Sequence, residues 1–500
     1  MTYKPGLVEY ILINYRWVFV CFFLLPISFV YDILFYLRNY VVFKLSSAPK
    51  NHVNKVKHVQ DQVKRWAQDG KKTKMCTSRP GWQTTSFRRP LYKNTFYKVD
   101  VNLVDILEVD TKKQTIRVEP LVTMGQLTKT INPLSWTIPV LPELDDLTVG
   151  GLVMGTGIES SSHRYGLFQH TCVSYELVLS DGSVITCSKN NNADLFYSVP
   201  WSYGTLGILT AVEIKLIPAK KFVKLSYKGY SDLNKISEEF IRVSKDSRNE
   251  FIEGLMYGPN EGVIMTGVMT DDVENEKINA IGKWYKPWFF KHVQSKKDSK
   301  GYYEYIPLRD YYHRHTRSIF WELQDIIPFG NNVLFRYLLG WIVPPKVSLL
   351  KLTQSDAIKK LYENNHVIQD MLVPIGHLKQ SIQVFDSTFK VYPLWLCPFN
   401  LPADPGMVHS YTRKDEMYVD IGVYGVPKVN DFHPVKSTRK IEKFVSDVKG
   451  FQMLYADTYT TREEFRAMFD HELYDKLRKK YDCERAFPEA YDKVKKSART

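Results

Sequence analysis

The sequence predicts an α+β protein with a membrane segment at its N-terminus and two folded regions behind it. Three observations predict this class. One long apolar stretch lies within residues 1–48 and no second one follows, so a polytopic membrane protein is excluded. Residues 50–218 mix short alternating segments with amphipathic helices and gather their glycines in the middle. From Lys220 glycine thins and aromatic residues thicken, over a larger α+β region, 219–500. The 500 residues correspond to about three domain lengths at ~150 residues each. With 44% hydrophobic and 24% charged residues the composition sits near globular averages, which excludes disordered, collagenous and coiled-coil chains.

The membrane segment, 1–48, comes first. Fifteen uncharged residues lie between Arg16 and Asp32. As a helix they span ~22 Å, short of the ~30 Å hydrocarbon core. An apolar core of about residues 11–37 reaches far enough, with Arg16 snorkelling at one end. Asp32 is costly there, and Pro26 predicts a kink. A single span or a re-entrant hairpin fits this pattern; a cleaved signal peptide ending near Ser46-Ser47-Ala48 and a buried soluble helix are its rivals. Arg38, Lys44 and Lys50 outweigh Lys4 and Arg16, so the positive-inside bias puts the folded body in the cytosol.

Nine basic residues between Lys44 and Lys74 account for part of the formal charge of +14. Beside a membrane such a run attracts anionic headgroups by about 1 kcal/mol per residue; an ordinary solvated basic face is the alternative. No nucleic-acid recognition motif accompanies it. The six cysteines (Cys21, Cys76, Cys172, Cys187, Cys397, Cys483) lie far apart with no C-x-x-C pair, which points away from a disulfide framework or zinc site and toward a reducing compartment.

Local pattern then orders the elements. Residues 53–67 place Val53, Val56, Val59, Val63 and Trp66 on one helical face, and Asp69-Gly70 ends it. Strands are expected at 73–76, 84–87, 97–103, 106–110 and 115–120, the last two as a hairpin, followed by a short helix at 124–131 and an extended segment at 136–140. Segments 175–180 and 183–187 flank Asp181-Gly182, a strong hairpin signal. Residues 209–217 alternate again and stop at Pro218, where the boundary between the two regions is placed. Helices and strands mix through 232–243, 262–269, 380–387 and 417–422, and helices are expected at 439–449 and 462–481.

The stretch from Pro139 to Phe168 holds Gly150, Gly151, Gly155, Gly157 and Gly166 around the run Ser160-Ser161-Ser162. Glycines admit close backbone approach and the φ > 0 conformations of an anion nest, and hydroxyls add donors without bulk, so the composition suits a pyrophosphate. A glycine-rich turn needed only for packing is the alternative. Gly155-Thr156-Gly157-Ile158-Glu159-Ser160 misses the third glycine of G-x-G-x-x-G and opens no βαβ unit, which argues against a Rossmann fold.

The ordered set Thr148-Val149-Gly150-Gly151, Gly155 through Ser162, Arg164-Tyr165-Gly166, Leu177-x-Leu179-x-Asp181-Gly182 and Tyr203-Gly204-Thr205-Leu206-Gly207-Ile208 resembles the FAD-binding domain of the vanillyl-alcohol-oxidase (PCMH) superfamily. That likeness covers roughly 50–218. Segments at 17–26, 44–49, 142–162, 311–332, 392–399 and 450–457 narrow it, nearly end to end, to membrane-bound sterol-side-chain reductases within the superfamily. The resemblance implies a PCMH-type FAD-binding domain at 50–218, a substrate-binding cap at 219–500, and an enzyme that uses FAD and NADPH to saturate the C24–C25 double bond of a sterol. It further implies an endoplasmic reticulum or Golgi membrane and, as partners, the sterol, membrane lipids and other sterol-biosynthesis enzymes. Carried over by position, Thr156, Gly157, Ile158, Glu159, Ser160, Ser161, Ser162, His163, Arg164, Tyr165, Gly166, Leu167 and Phe168 would line the FAD pyrophosphate and ribityl chain. Thr77-Ser78-Arg79-Pro80-Gly81 falls at the first phosphate-facing loop, where members with covalent FAD use a histidine; this loop has none, so non-covalent FAD is expected. No separate NADPH motif is visible. An oxygen-dependent alcohol oxidase of the same fold and a non-catalytic flavin-binding scaffold are the alternative functions.

Reduction of an unconjugated, trisubstituted double bond calls for a proton donor, a dry cleft and a means of stabilising positive charge at the tertiary carbon. His313, His315 and Glu322 are the expected acids, with Asp370 and Asp457 as rivals; each is also a plausible hydrogen-bonding or ion-pairing strut. Tyr302, Tyr303, Tyr305, Tyr311, Tyr312, Phe320, Trp321, Tyr392 and Trp395 could stabilise a cation or simply fill a core. His313-x-His315 lacks the further ligands of a metal site. Residues 329–345 read either as a membrane-facing surface or as a buried helix and turn.

Overall fold

The computed structural model describes residues 10, 15–80, 83, 89–344, 346, 350–351 and 356–499. The strand expected at 84–87, positions 11–14 of the apolar core and Gly81 lie outside them. The α+β class is borne out. In chain order the strands are β1 (Met75–Thr77), β2 (Tyr97–Val99), β3 (Ile106–Asp110), β4 (Thr115–Val118), β5 (Trp136–Thr137), β6 (Cys172–Val178), β7 (Val184–Ser188), β8 (Ile208–Lys215), β9 (Ile217–Pro218), β10 (Phe222–Tyr230), β11 (Phe251–Gly258), β12 (Glu261–Thr270), β13 (Tyr302–Pro307), β14 (Val367–Pro374), β15 (Leu394–Leu401), β16 (Glu416–Gly425) and β17 (Phe451–Gln452).

In the first half an antiparallel five-stranded sheet runs β3-β4-β8-β6-β7. The hairpin at Asp181-Gly182 forms as its turn chemistry requires: Gly182 takes φ +82°, and the Asp181 carboxylate accepts the Ser183 N–H at 2.8 Å. The helix Ala48–Gln68 lays Val56, Val59, Val63 and Trp66 into the core, and the indole donates to Thr73 O at 2.6 Å where the chain turns away. The helix Met124–Ile131 starts where Thr123 accepts the Gln126 N–H at 3.1 Å.

In the second half an antiparallel eight-stranded sheet runs β13-β10-β12-β11-β15-β16-β14-β17. Side chains alternate across a sheet, and here the two faces have different tasks. Ile252, Met256, Met371, Val373, Leu396, Val419, Ile421 and Val423 pack beneath the helices Leu233–Ser244, Leu378–Thr388 and Pro434–Asp447. The intervening residues, among them Leu255, Leu372, Trp395, Cys397 and Tyr424, belong to the core shared with the first half.

The helix expected over 462–481 is two, Arg462–Met468 and Glu472–Lys480. Phe469 goes extended to bury its ring, and the Asp470 carboxylate accepts the Glu472 N–H at 2.9 Å to begin the second. These helices return to the first half. Arg478 is buried and donates to the carbonyls of Thr205 at 2.8 Å, Phe487 at 2.9 Å and Pro488 at 3.0 Å.

The apolar helix continues from Arg16 to Lys44, 29 residues, about 43 Å at 1.5 Å per residue. Among the described residues it alone is long and apolar enough to cross a membrane. The kink expected from Pro26 is taken up by a π-turn over Val20–Leu24, which leaves Pro26 in the opening turn of the following segment. Arg16 does not snorkel: it is buried in protein and donates to Leu350 O at 3.0 Å, because the segment before β14 folds over it. Asp32 is matched by Lys346 at 2.7 Å. The second apolar segment, Val333–Ile342, lies alongside, with Phe29 and Trp341 edge to face at 5.4 Å, and both elements keep large apolar side chains exposed.

Replacing Arg478 with Met leaves several buried carbonyls without a donor. The expected loss is about 3 kcal/mol or more, read as a lowered denaturation midpoint in detergent, with the buried Cys483 thiol becoming open to alkylation.

Candidate functional site

The helix Val149–Met154 ends at Gly155, and the chain then turns through Thr156 at φ +132°, a strained value for a residue with a side chain. The backbone N–H groups of Thr156, Gly157 and Ile158 find no acceptor among the described residues. Three successive open N–H groups make an anion nest. Gly157 admits no side chain, since a Cβ would stand 2.7 Å from Leu152 Cδ2 and 2.8 Å from Pro142 Cγ. Gly166 turns the chain at φ +77°. The serine hydroxyls, in contrast, face protein. Ser160 Oγ lies 3.0 Å from Tyr311 Oη, Ser161 donates to Pro139 O at 2.8 Å, and Ser162 accepts the Glu159 N–H at 3.0 Å. Each ring nitrogen of His163 stands 3.0 Å from a carbonyl oxygen, of Ser160 and of Asn249, and burial lowers its pKa. Thr156 Oγ1 reaches Gln169 at 3.4 Å, Arg164 pairs with Glu250 at 3.6 Å, Tyr165 packs on the core, and Leu167 and Phe168 are buried.

Around this turn gathers positive charge that sequence reasoning missed. Lys93 donates to Thr77 O at 2.9 Å and to Arg79 O at 2.5 Å, so it holds the loop that follows β1. Lys493 donates to Tyr203 O, and the Tyr203 hydroxyl closes on Gly155, 3.3 Å from where a Cβ would stand. Burial, with Arg79 and Lys98 nearby, pushes Lys93 down to about 8; burial, with Lys93 and Arg499 nearby, pushes Lys493 down to about 7. Neither ammonium forms an ion pair among the described residues. Lys351, beside Arg79 and Arg89, is likewise pushed down to about 7 by burial. Crowded cations around open N–H groups fit a pyrophosphate. No local pattern announces Lys493, which reaches the loop only because the C-terminal helices fold back.

Arg314 ties this segment to the second sheet. Its guanidinium donates to Glu159 at 2.7 Å, to both oxygens of Glu253 on β11 at 2.7 and 2.9 Å, and to Tyr311 O at 2.9 Å, all fully buried. Burial opposes the charges of Arg314 and Glu253; the mutual pairing outweighs it, holding Arg314 charged and Glu253 below the usual carboxylate range. Trp395 Nε1 and His315 Nε2 also meet Glu253, at 3.0 and 3.2 Å.

The three expected acids are not brought together. His315 is fully buried and stacked on Phe320 at 4.5 Å, with Nδ1 unpartnered. His313 lies elsewhere, with Nδ1 donating to Glu143 O at 3.0 Å and Nε2 2.8 Å from Thr128 Oγ1. Burial lowers both imidazoles. Glu322 stands 3.2 Å from His366, which burial opposes but Glu322 and Asp325 raise to about 9.

The inner face of the second sheet carries a different group of acids. Asp370 on β14 accepts the hydroxyls of Tyr424 and Tyr455, and burial raises it to about 6. Asp420 on β16 is fully buried with no side-chain partner on either oxygen, and burial, Asp370 and Glu143 raise it well above the carboxylate range. Glu143, close to Glu159, is raised as well, by burial first. A carboxylate inside the apolar run Met417-Tyr418-Val419-Asp420-Ile421 was the available sequence signal for this site. Phe320, Trp321, Trp395 and Tyr424 pack around one another at 5.1–5.7 Å beside it. The helix Ser162–Tyr165 of the glycine-rich segment rests directly on β15.

A cleft of about 640 Å³ separates the apolar helix from the first half. Tyr31, Phe35, Tyr36 and Tyr40 form one wall, Ile106, Leu121 and Pro133 the other, and Asp145, Asp146, Lys129 and Lys346 its polar end.

Residues 53–188 match the FAD binding domain family. Over nearly its whole length the chain is similar to curated sterol reductases. It is 61% identical to the Delta(24)-sterol reductase of Mus musculus and 60% identical to that of Homo sapiens, covering 98% of this chain and 95% of each relative. It is 49% identical to the Delta(24)-sterol reductase homolog of Caenorhabditis elegans, over 98% of this chain and 97% of that one. The chain thus carries an FAD-binding domain.

Two outcomes are expected. Because Lys93 and Lys493 must be charged to hold a diphosphate, FAD binding takes up protons, and the affinity of the apoprotein for FAD falls as pH rises from 7 to 9, read by flavin fluorescence. Replacing Arg314 with Met strands Glu159 and Glu253 as buried charges and lowers stability by about 3–5 kcal/mol, read by thermal unfolding.

Proposed function

The chain belongs to the Delta(24)-sterol reductase family and is an FAD-dependent oxidoreductase of sterols; from that premise we propose that it uses NADPH to reduce the C24–C25 double bond of a desmosterol-type side chain. The observation that carries this reading is the meeting of two unlike environments. A cationic nest fitted to the FAD diphosphate rests against a sheet face that holds buried acids and an aromatic cluster.

The chemistry asks for that pairing. An isolated trisubstituted alkene has no carbonyl to accept electron density, so the proton leads, and positive charge develops on tertiary C25. FAD, once bound and reduced, is the source of the hydride. The chain's residues supply the rest. The nest and its lysines hold the cofactor, the Arg314 tie keeps the glycine-rich segment seated on the sheet, and the aromatic cluster stabilises developing cationic charge by ~0.5–2 kcal/mol per ring. The buried surroundings exclude water, which would otherwise trap the cation. Both nitrogens of His163 lie against carbonyl oxygens, which supports non-covalent FAD.

The apolar helix and the segment Val333–Ile342 give the protein a membrane-facing side, and the cleft behind the helix offers the sterol a route from the bilayer to the polar end at Asp145. With the basic flank that follows the helix, these features support residence on the cytosolic face of the endoplasmic reticulum or Golgi membrane, beside other enzymes of sterol biosynthesis.

Detergent-purified protein, mixed anaerobically with NADPH and then with desmosterol, tests the reading. Bleaching of the flavin by NADPH and its recovery by the sterol, with cholesterol formed, is expected. A flavin that ignores the sterol and is reoxidised only by oxygen, releasing peroxide, overturns it.

A further inference from the structure

We propose that Asp420 donates the proton to C24, with Asp370 and the hydroxyls of Tyr424 and Tyr455 as its positioning and recharging groups; this rests on the sterol-reductase reading. Strand register assembles the group. Asp420 and Gly422 point to the same face of β16. Cys397 stands opposite Asp420, while Gly422 has Trp395 on one side and Asp370 on the other. Asp370 and Asp420 are therefore diagonal neighbours, roughly 7–8 Å apart by Cα. Gly422 lets the Asp370 carboxylate and the Tyr424 hydroxyl close over the strand: a Cβ there would stand 2.8 Å from Asp370 Oδ1 and 2.5 Å from Tyr424 Oη.

Three observations single out Asp420. First, it is fully buried and neither of its oxygens has a side-chain partner; the adjacent Ile421 N–H is the one group that favours its ionised form. An ionised carboxylate in that position would be an uncompensated charge, so the group is held as a neutral acid and carries a proton. Asp370 and Glu143 face it as like charges, and the Cys397 thiol stands opposite, with Glu159, Glu253 and Arg314 on the far side of that thiol. Second, several of the other acids are paired. Glu159 and Glu253 serve Arg314, Glu322 meets His366, and both nitrogens of His313 hold first-half residues. Third, no set of His, Cys, Asp and Glu among the described residues could hold a metal ion, so the cluster has no metal to explain it.

The surroundings match the step. The Tyr424 ring packs on Phe320 and Trp321, while its hydroxyl donates to Asp370, so the acid and the cation-stabilising rings share one side chain. The π pair of the alkene forms the C24–H bond with the Asp420 proton and the O–H bond breaks to leave a carboxylate; bound, reduced FAD would supply the hydride that C25 then needs. The proton is restored through Asp370 and Tyr455, which borders a cavity of about 50 Å³ at the protein surface.

Half-reactions of the full-length holoenzyme separate the roles. Asp420→Asn is expected to retain FAD and to be reduced by NADPH within twofold of the unaltered enzyme, while desmosterol-dependent reoxidation falls by about 10²–10⁴-fold. Tyr455→Phe is expected to leave the first turnover intact and slow those that follow. Reoxidation of D420N within threefold of the unaltered rate overturns the inference while the function stands. An unaltered enzyme that desmosterol does not reoxidise overturns both. If D420N does not fold, Asp420→Ala decides: restoration of its reoxidation by formate supports the proposal, and folded, flavin-bound D420A that formate does not rescue overturns it.

Discussion

The buried Glu159–Arg314–Glu253 tie is the interaction on which the rest of the site depends. Three charges with no solvent exposure are costly to desolvate, and close pairing with further hydrogen bonds offsets that cost. Here Arg314 also donates to a carbonyl, and Glu253 receives the Trp395 indole and the His315 imidazole besides. One end of the tie lies in the glycine-rich segment and the other in the second sheet. Through it, the open N–H groups of Thr156, Gly157 and Ile158 and the acids of β14 and β16 keep a fixed relation.

The second constraint is the two-residue period of the sheet. On one face, successive Ile, Val, Leu and Met side chains pay nothing in polarity and pack under three helices. On the other, Glu253, Asp370, Trp395, Cys397, Asp420 and Tyr424 alternate with them and meet the first half. A single set of strands thus supplies both the hydrophobic support and the chemically active surface. A register slip of one residue would exchange the two.

Much of the first half was legible from local pattern. The helices at 53–67 and 124–131, the Asp181-Gly182 hairpin and the glycine-rich turn all follow from periodicity, capping and glycine geometry, which act over a few residues. Errors arose where distant partners intervene. Arg16 was expected to snorkel, but it is buried, donating to Leu350 O and Tyr362 Oη. The run 462–481 has continuous helical periodicity, yet burial of the Phe469 ring divides it. Ser160, Ser161 and Ser162 suited a phosphate by composition, but their hydroxyls bond to Tyr311, Pro139 and Glu159.

The sequence by itself determined the fold class, the place of the apolar helix and the glycine-rich turn, since each depends on residues adjacent along the chain. Tertiary structure alone decided which charges meet. Lys493 reaches Tyr203 from 290 positions away and Tyr455 reaches Asp370 from 85, and the residues paired on either side of Gly422 come from β14 and β15. Such contacts depend on strand order and on the return of the C-terminal helices, which local preference does not specify, and the acidity of a buried carboxyl depends on surroundings that exist only once those elements have closed around it.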